Sequence, residues 1–135
     1  MPLLSRWFLR SAILWLLLAL TGAAVAAWPS GGAIPVAGFT PTIVHLFVVG
    51  WATQMILGVA YWMFPRPGPA RSFGNPAAGW MVWAALNAGL TLRVAAEGLA
   101  TVQVHGWLFF VSAALQLVAI VGFVVLIWPR TAPRA

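Results

Sequence analysis

The sequence has no cysteine and few charged residues, and each absence excludes a class of protein. Without cysteine, the 135-residue chain has no disulfide bond, no thiolate-ligated iron–sulfur cluster and no c-type haem attached through thioethers. Charged residues make up 6% of the chain, whereas soluble domains carry about 25%. Hydrophobic residues make up 63%, and the mean hydropathy is +0.99. This composition predicts a membrane protein.

Four apolar runs are each long enough to cross a bilayer, which requires roughly 20 residues. They lie near residues 6–27, 42–64, 77–96 and 101–128. We therefore predict an all-α fold in which residues 1–135 form one membrane domain, an integral membrane four-helix bundle. The first run resembles a signal peptide, but its apolar core is longer than the usual range of about 7–15 residues. We interpret it as a retained helix.

Proline, glycine and one cap residue are expected to mark the helix ends. The first loop is predicted to extend to Pro41, and the prolines within 65–69 end the second helix. Asn75 is predicted to cap the third helix, with Pro76 at the first helical position. Pro129 is expected to prevent the fourth helix from continuing.

The positive charge comes from arginines at helix ends, which indicate orientation and not nucleic-acid binding. Basic residues mark the cytoplasmic side of membrane proteins. We therefore predict a multi-pass protein of the inner (plasma) membrane with both termini cytoplasmic. Six arginines fall on that one side: Arg6, Arg10, Arg66, Arg71, Arg130 and Arg134.

The two histidines of the chain, His45 and His105, are candidate ligands. The second and fourth helices both begin on the side opposite the six arginines. At a rise of 1.5 Å per residue, His45 is predicted about 5 Å and His105 about 6 Å below the helix starts. The pair therefore shares one depth near the outer face. An ionisable group there suggests a functional site, because burial in hydrocarbon is costly without a partner.

Three interpretations of the histidines remain open at this point. Each ring is a structural residue bonded to a backbone carbonyl or water, or the pair is a proton relay, or the pair holds a metal or haem. We favour the last, since neutral imidazole ligates haem iron, copper and zinc. Zinc sites take three or four protein ligands, whereas haem b needs one or two in an apolar, aromatic slot. The chain has nine tryptophans and eight phenylalanines.

Two polar stripes are predicted to face protein. On the second helix, Gln54 lies about 180° from His45 at 100° per residue. It forms a stripe with small residues that is typical of close helix packing: Gly50, Gln54, Gly58 and Tyr61. On the fourth helix, Ser112 and Gln116 lie in one arc with His105. This arc is expected to face protein, because unpaired polar groups facing lipid are costly.

Arg93 and Glu97 lie four residues apart at the outer end of the third helix. One interpretation is a local ion pair between positions i and i+4. The other is that Arg93 anchors haem propionates at the depth of the histidines, since arginine forms strong charge-assisted bonds to carboxylates.

The second helix resembles one helix of the catalytic subunit (subunit I) of haem-copper oxidases. The likeness is nearest to the C-type oxidases and nitric oxide reductases. That family helix carries His-x-His, five residues from the second histidine to Gly-Trp, and a closing Tyr-Trp-x-x-Pro-Arg. The matching residues here are His45, Gly50-Trp51, Gly58, Tyr61-Trp62 and Pro65-Arg66. The other helices match only in general character.

The departures from the family shape what the resemblance implies. In the family, the first histidine of the pair ligates the high-spin haem that reacts with oxygen, and the second ligates the low-spin, electron-transfer haem. Ile43 stands at the first position and His45 at the second. The family's copper site also needs three histidines. The resemblance therefore implies a low-spin-type haem ligand at His45, and it argues against a full oxidase mechanism within one chain.

The length of the chain also bears on assembly. The family's twelve helices form three four-helix arcs around a pseudo-threefold axis, and this chain has the length of one arc. Closed symmetry is the usual route to assembly of identical units. The resemblance therefore implies a homotrimer, and we expect Gly50, Gln54 and Gly58 to contribute to the contacts between its subunits.

Three functions are compatible with the sequence. The first is a haem b-binding membrane protein, an oxidoreductase in electron transfer or in oxygen or nitric oxide chemistry, with copper as an alternative metal. The second is a structural or assembly subunit of a respiratory complex without a cofactor. The third is a haem or copper carrier. An electron-transfer partner belongs to the first function.

Overall fold

The chain folds as a bundle of helices in a computed structural model that describes residues 1–28, 36–64, 75–98 and 105–131. The described residues form four helices and no strand. The first helix is α1. The second helix consists of α2, a π-helical segment and α3 in succession. The third helix is α4 and the fourth is α5. Their bounds are Leu3–Ala26 for α1, Val36–His45 for α2, Leu46–Thr53 for the π-helical segment, Gln54–Met63 for α3, Pro76–Gly98 for α4 and His105–Thr131 for α5.

Three of these helices are long and apolar enough to cross a membrane. Within the described residues, they are Leu3–Ala26, Pro41–Met63 and Gly106–Thr131. The remaining helix, α4, interrupts its apolar sequence with Asn87, Arg93 and Glu97. The all-helical fold and the four helices are therefore as predicted, and the crossing of three of them follows from length and composition.

The start of the third helix is confirmed in detail. Helix α4 begins at Pro76, and the backbone N–H of Ala77 donates to Asn75 Oδ1 at 2.9 Å. An N-cap side chain satisfies one of the backbone donors that a helix leaves unpaired in its first turn.

Two prolines that were predicted to lie outside helices lie inside them. Pro41 belongs to α2 and Pro129 to α5. A proline removes one backbone N–H donor and disfavours the helix interior, but Pro129 lies in the last turn. There Thr131 Oγ1 donates to the carbonyl of Trp128 at 2.8 Å, and Arg130 Nη1 donates to the carbonyl of Tyr61 at 3.1 Å. These bonds hold the last turn of the helix in place beyond the proline.

The bundle consists of two helix pairs. Helix α1 packs along the second helix, and α4 packs along α5. The pairs meet where α4 contacts α1, α2 and the π-helical segment. One apolar core is shared by all four helices: Leu4, Phe8, Leu57, Tyr61, Val82, Leu86, Ala119, Phe123 and Ile127.

The stripe of small residues on the second helix is a packing seam, as predicted, and it lies inside one chain. A Cβ added at Gly50 would lie 2.7 Å from Trp15 Cβ, and one at Gly58 would lie 2.9 Å from Phe8 Cβ. Both positions are buried against α1. Glycine therefore permits α1 and the second helix to approach closely.

Candidate functional site

His45 is the last residue of α2, directly before the π-helical segment. Its Nδ1 lies 2.8 Å from the carbonyl oxygen of Pro41, one helical turn earlier. Because a carbonyl only accepts hydrogen bonds, Nδ1 must carry the proton. In the neutral ring, Nε2 is then the nitrogen with a lone pair. The side chain is 31% exposed, so the ring lies at the edge of the bundle.

Glu97 lies beside this histidine near the end of α4. It is the one acidic residue of the chain, and its side chain is only 7% exposed. Its Oε1 accepts a bond from Arg93 Nε at 2.6 Å and lies 4.0 Å from His45 Nδ1. Its Oε2 accepts a hydrogen bond from Thr42 Oγ1. One buried carboxylate thus contacts three side chains from two helices, and we call these four residues the carboxylate cluster.

The local geometry of α2 explains why two of these partners come from one helix. Thr42 and His45 are three residues apart, so they lie on the same helical face. Thr42 is buried against α4, whereas the His45 side chain is partly exposed. The cluster therefore ties the start of the second helix to the end of α4.

Arg93 forms the predicted ion pair at positions i and i+4 with Glu97. Its guanidinium carbon also lies 4.7 Å from the ring centroid of Phe109 on α5, a favourable cation–π position. The bond to Glu97 uses Nε–H, one of the five donors of an arginine side chain. The role of Arg93 as a propionate anchor stays a prediction.

His105 is the first residue of α5, and its side chain lies outside the described parts of the structure. The packing of α4 on α5 nevertheless indicates where its backbone lies. Ser112 contacts Gly89, and Phe109 contacts Arg93 further along α4. The two helices therefore run antiparallel, and α5 begins at the end of the bundle that holds the carboxylate cluster.

The polar stripe on α5 faces protein, as predicted for its described members. Ser112 is fully buried, and its hydroxyl donates to the carbonyl of Gly89 at 2.7 Å. Gln116 Nε2 donates to the same hydroxyl at 3.1 Å. The bond to Gly89 fixes α5 to α4, and the bond from Gln116 orients the Ser112 hydroxyl.

A second polar cluster, which the sequence analysis did not identify, lies at the middle of the bundle. Ser11 Oγ donates to Gln54 Oε1 at 2.6 Å, and Gln54 Nε2 donates to Asn87 Oδ1 at 3.2 Å. The indole N–H of Trp15 donates to Asn87 and that of Trp83 to Ser11. We call these five residues the polar clasp. Since it contains no titratable group and Gln54 is fully buried, it has the character of a structural element.

The rest of the described structure offers no further group of side chains that could hold a metal ion. No group of three or more histidine, cysteine or acidic side chains lies together among the described residues. An apolar groove of about 610 Å³ runs along α3, lined by residues such as Met55, Val59 and Phe64. It lies at the opposite end of the second helix from His45, so it does not provide a slot at the histidine.

The arrangement presents one oriented imidazole at the surface of an apolar bundle, supported by a buried ion pair. A fixed imidazole with an available Nε2 can ligate a metal through that nitrogen. Its Nδ1–H can also stabilise the helix through the hydrogen bond to the carbonyl of Pro41. The chain matches no protein-family model, no curated protein and no solved structure.

Proposed function

We propose that this protein is a haem b-binding membrane protein related to the catalytic subunit of haem-copper oxidases, acting in electron transfer or in oxygen or nitric oxide chemistry. The observation that supports this most is the orientation of His45. Its Nδ1 donates to a backbone carbonyl at 2.8 Å, so Nε2 is the basic nitrogen. Metal-ligating histidines almost always use their second nitrogen in this way, which orients the ring and raises its basicity.

The surroundings of His45 fit a haem in part. Aromatic side chains lie on the same end of the bundle: Phe47 pairs with Trp51 at a centroid distance of 4.7 Å, and Trp107 pairs with Phe110 at 6.0 Å. Trp107 is 75% exposed, so its ring is available to a neighbour. A histidine ligand and nearby apolar, aromatic side chains are among the elements that a haem b site uses. When bound, the haem would supply an iron centre for one-electron transfer or gas binding.

His105 and Arg93 complete the proposal. Helix α5 begins at the same end of the bundle, so His105 is the candidate second axial ligand, or a ligand to a neighbouring metal such as copper. Two histidine ligands favour electron transfer, whereas an open position favours a gas ligand. Arg93, with further N–H donors beyond the one that Glu97 uses, is the candidate contact for a propionate.

Assembly as a homotrimer in the inner membrane remains part of the proposal, with a changed interface. The stripe of Gly50, Gln54 and Gly58 was expected to contribute to subunit contacts, but it is buried within one chain. Contacts between subunits would therefore use other faces, such as the exposed aromatic surface at Trp107 and Phe110. A second subunit there would supply the other wall of a haem site. Native mass spectrometry in detergent should show three copies, and a monomer with full haem would exclude the trimer.

The absorption spectrum of the purified protein tests the function directly. We expect sharp Soret and alpha bands, and we expect His45→Ala to remove them while the protein still inserts. Val44→Ala, at the neighbouring exposed position, is the matched control and should retain the haem. An unchanged haem spectrum in His45→Ala would show that the ligand assignment is wrong. His105→Ala should convert a six-coordinate spectrum into a high-spin one, and carbon monoxide should then bind.

A second candidate is a structural subunit of a respiratory complex that binds no cofactor. The observation that favours it is the carboxylate cluster, in which His45 lies 4.0 Å from Glu97 and so contributes to the contact between α2 and α4. Under this alternative, the wild-type protein purified from cells supplied with haem is colourless. His45→Ala would then lower stability without any spectral change.

A further inference from the structure

We propose that the end of the bundle where α1 begins binds an anionic phospholipid. The lipid phosphate would lie on Arg6 and Arg10, and one acyl chain would lie in the apolar groove along α3. The basis is the position of two exposed arginines beside a groove lined by apolar side chains. This site is separate from His45 and does not depend on a bound haem.

The two arginines do not stabilise the helix that carries them. Arg6 and Arg10 lie in the first turns of α1, both are exposed, and the first turn holds no acidic residue. Cations are unfavourable at the N-terminal end of a helix, where the helix dipole is positive. Like charges at positions i and i+4 also repel each other. An anion bound between the two side chains would relieve both effects.

The chain does not supply that anion from an acidic side chain. Glu97 is its one acidic residue, and it binds Arg93 at the opposite end of the bundle. Arg10 lies about 10 Å along α1 from Leu3, at 1.5 Å per residue. At that depth an arginine needs a partner or must extend to the interface, and membrane orientation alone does not require a charge there. A lipid phosphate is an anion of the bilayer interface, and arginine binds phosphate through two parallel hydrogen bonds.

The packing of α1 on the second helix places both arginines level with the groove. The two helices run antiparallel, and Ser11 on α1 bonds to Gln54 on the second helix. Arg10 is therefore level with Met55, which lines the groove. Arg6 lies one turn nearer the end of the bundle, level with the middle of the groove.

The arginines and the groove also share the outer side of the contact between α1 and α3. Leu9 Cδ2 lies 3.5 Å from a Cβ added at Gly58, so these two residues mark the contact. At 100° per residue, Arg6 lies about 60° round α1 from Leu9, on the side away from the buried core. Met55 lies about 60° round α3 from Gly58, also on the side away from the core. Both therefore face outward along one edge of the contact.

The groove has the length and lining for a lipid tail. Its volume is about 610 Å³, and its lining includes Met55, Val59 and Phe64. From Met55 to Phe64 the chain rises about 14 Å, close to the hydrocarbon thickness of one leaflet, which is about 15 Å. The groove thus accommodates an acyl chain, and the arginine pair selects a headgroup with net negative charge.

The experiment is native mass spectrometry of the purified full-length protein in detergent. The protein is titrated with phosphatidylglycerol or with phosphatidylcholine that carries the same acyl chains. The wild type should bind phosphatidylglycerol more tightly. Arg6→Gln and Arg10→Gln should each weaken phosphatidylglycerol binding about fivefold and leave phosphatidylcholine binding unchanged. Arg10→Lys keeps the charge and should lie closer to the wild type.

Two further variants test the groove, and one tests net charge. Val59→Trp fills the groove and should weaken the binding of both lipids. Its matched control is Val118→Trp, at an exposed position on α5, which should bind both lipids as the wild type does. Arg134→Gln removes one charge from the predicted cytoplasmic side, and it should leave the lipid preference unchanged.

Several results would overturn the site. Equal binding of the two lipids by the wild type would show that there is no selection for negative charge. Equal losses in Arg10→Gln and Arg134→Gln would show that net charge alone attracts the lipid. If Val59→Trp changes the number of chains per particle but not lipid binding, the groove is a subunit contact. Should an arginine variant fail to fold, the wild-type preference and the comparison of Val59→Trp with Val118→Trp still decide.

Discussion

At the middle of the bundle, single polar side chains determine how three helices meet. Gln54 is fully buried and bonds to Ser11 on α1 and Asn87 on α4. In an apolar medium, a polar group without a partner costs several kcal/mol. The polar clasp therefore favours the one arrangement of helices in which Ser11, Gln54 and Asn87 coincide.

Replacing Gln54 with leucine tests this at the scale of one residue. We expect Gln54→Leu to lower the free energy of unfolding by about 1–3 kcal/mol, because Ser11 and Asn87 lose a partner in the bilayer. The measurement is unfolding in mixed micelles by a denaturing detergent. Thr53→Val is the matched control. Among the described residues, its hydroxyl bonds to the carbonyl of Val48 on the same helix, so the change should alter stability by no more than about 0.5 kcal/mol.

The second helix shows how an element places its side chains. Between α2 and α3, the segment Leu46–Thr53 is π-helical, and wider turns of this kind are frequent at functional sites. The hydroxyl of Thr53 donates to the carbonyl of Val48 at 2.9 Å within this segment. A π-helical segment changes the angle between the residues on either side of it. It thus lets His45 reach the carboxylate cluster while Gln54 faces the polar clasp.

Gly50 gives a prediction for the same element. A methyl group there would lie 2.7 Å from Trp15 Cβ and 2.9 Å from Leu90 Cδ2. Because the Cβ atom of Trp15 is attached to the backbone, α1 would have to move. We expect Gly50→Ala to destabilise the protein by about 1–3 kcal/mol in the same detergent titration.

The control for Gly50 is Gly106 on α5, where an added Cβ meets no atom of the described residues within 4 Å. Gly106→Ala should be neutral or slightly stabilising, by at most about 1 kcal/mol, because alanine favours helix over glycine. Equal destabilisation of both variants would show that the close approach at Gly50 is not what limits stability.

For the whole molecule, the question is how many helices cross the membrane. Among the described residues, three helices are long and apolar enough to cross, whereas α4 carries Arg93 and Glu97 near one end. We propose that α4 also crosses, because those two residues pair with each other and with the second helix. An even number of crossings leaves both termini on the same side, in accordance with the six arginines.

The absence of cysteine makes this topology easy to test. Single variants Ser30→Cys, Ser72→Cys and Ala135→Cys can each be labelled with a membrane-impermeant maleimide on intact cells. Ser30→Cys should react from outside, whereas the other two should react only after permeabilisation. If α4 does not cross, Ala135→Cys and Ser72→Cys would lie on opposite sides, and that result would contradict the four-span topology.

Local features of the sequence predicted much of this fold. Apolar runs located the four helices, Asn75 located the start of α4, and the spacing of Arg93 and Glu97 predicted their ion pair. The predictions failed where a local rule was overridden by context. Pro41 and Pro129 were taken as helix ends, but the structure accommodates each within a helix near one of its ends.

The sequence by itself determined the composition, the helices and the contacts between residues one turn apart, because these depend on neighbours along the chain. Only the tertiary structure decided that Glu97 lies against Thr42 and His45 and that Gln54 meets Ser11 and Asn87. These partners are 33 to 55 residues apart where they form hydrogen bonds. Such contacts depend on which faces pack together, and this is set by close approach at small residues and by the cost of leaving polar groups unpaired in lipid.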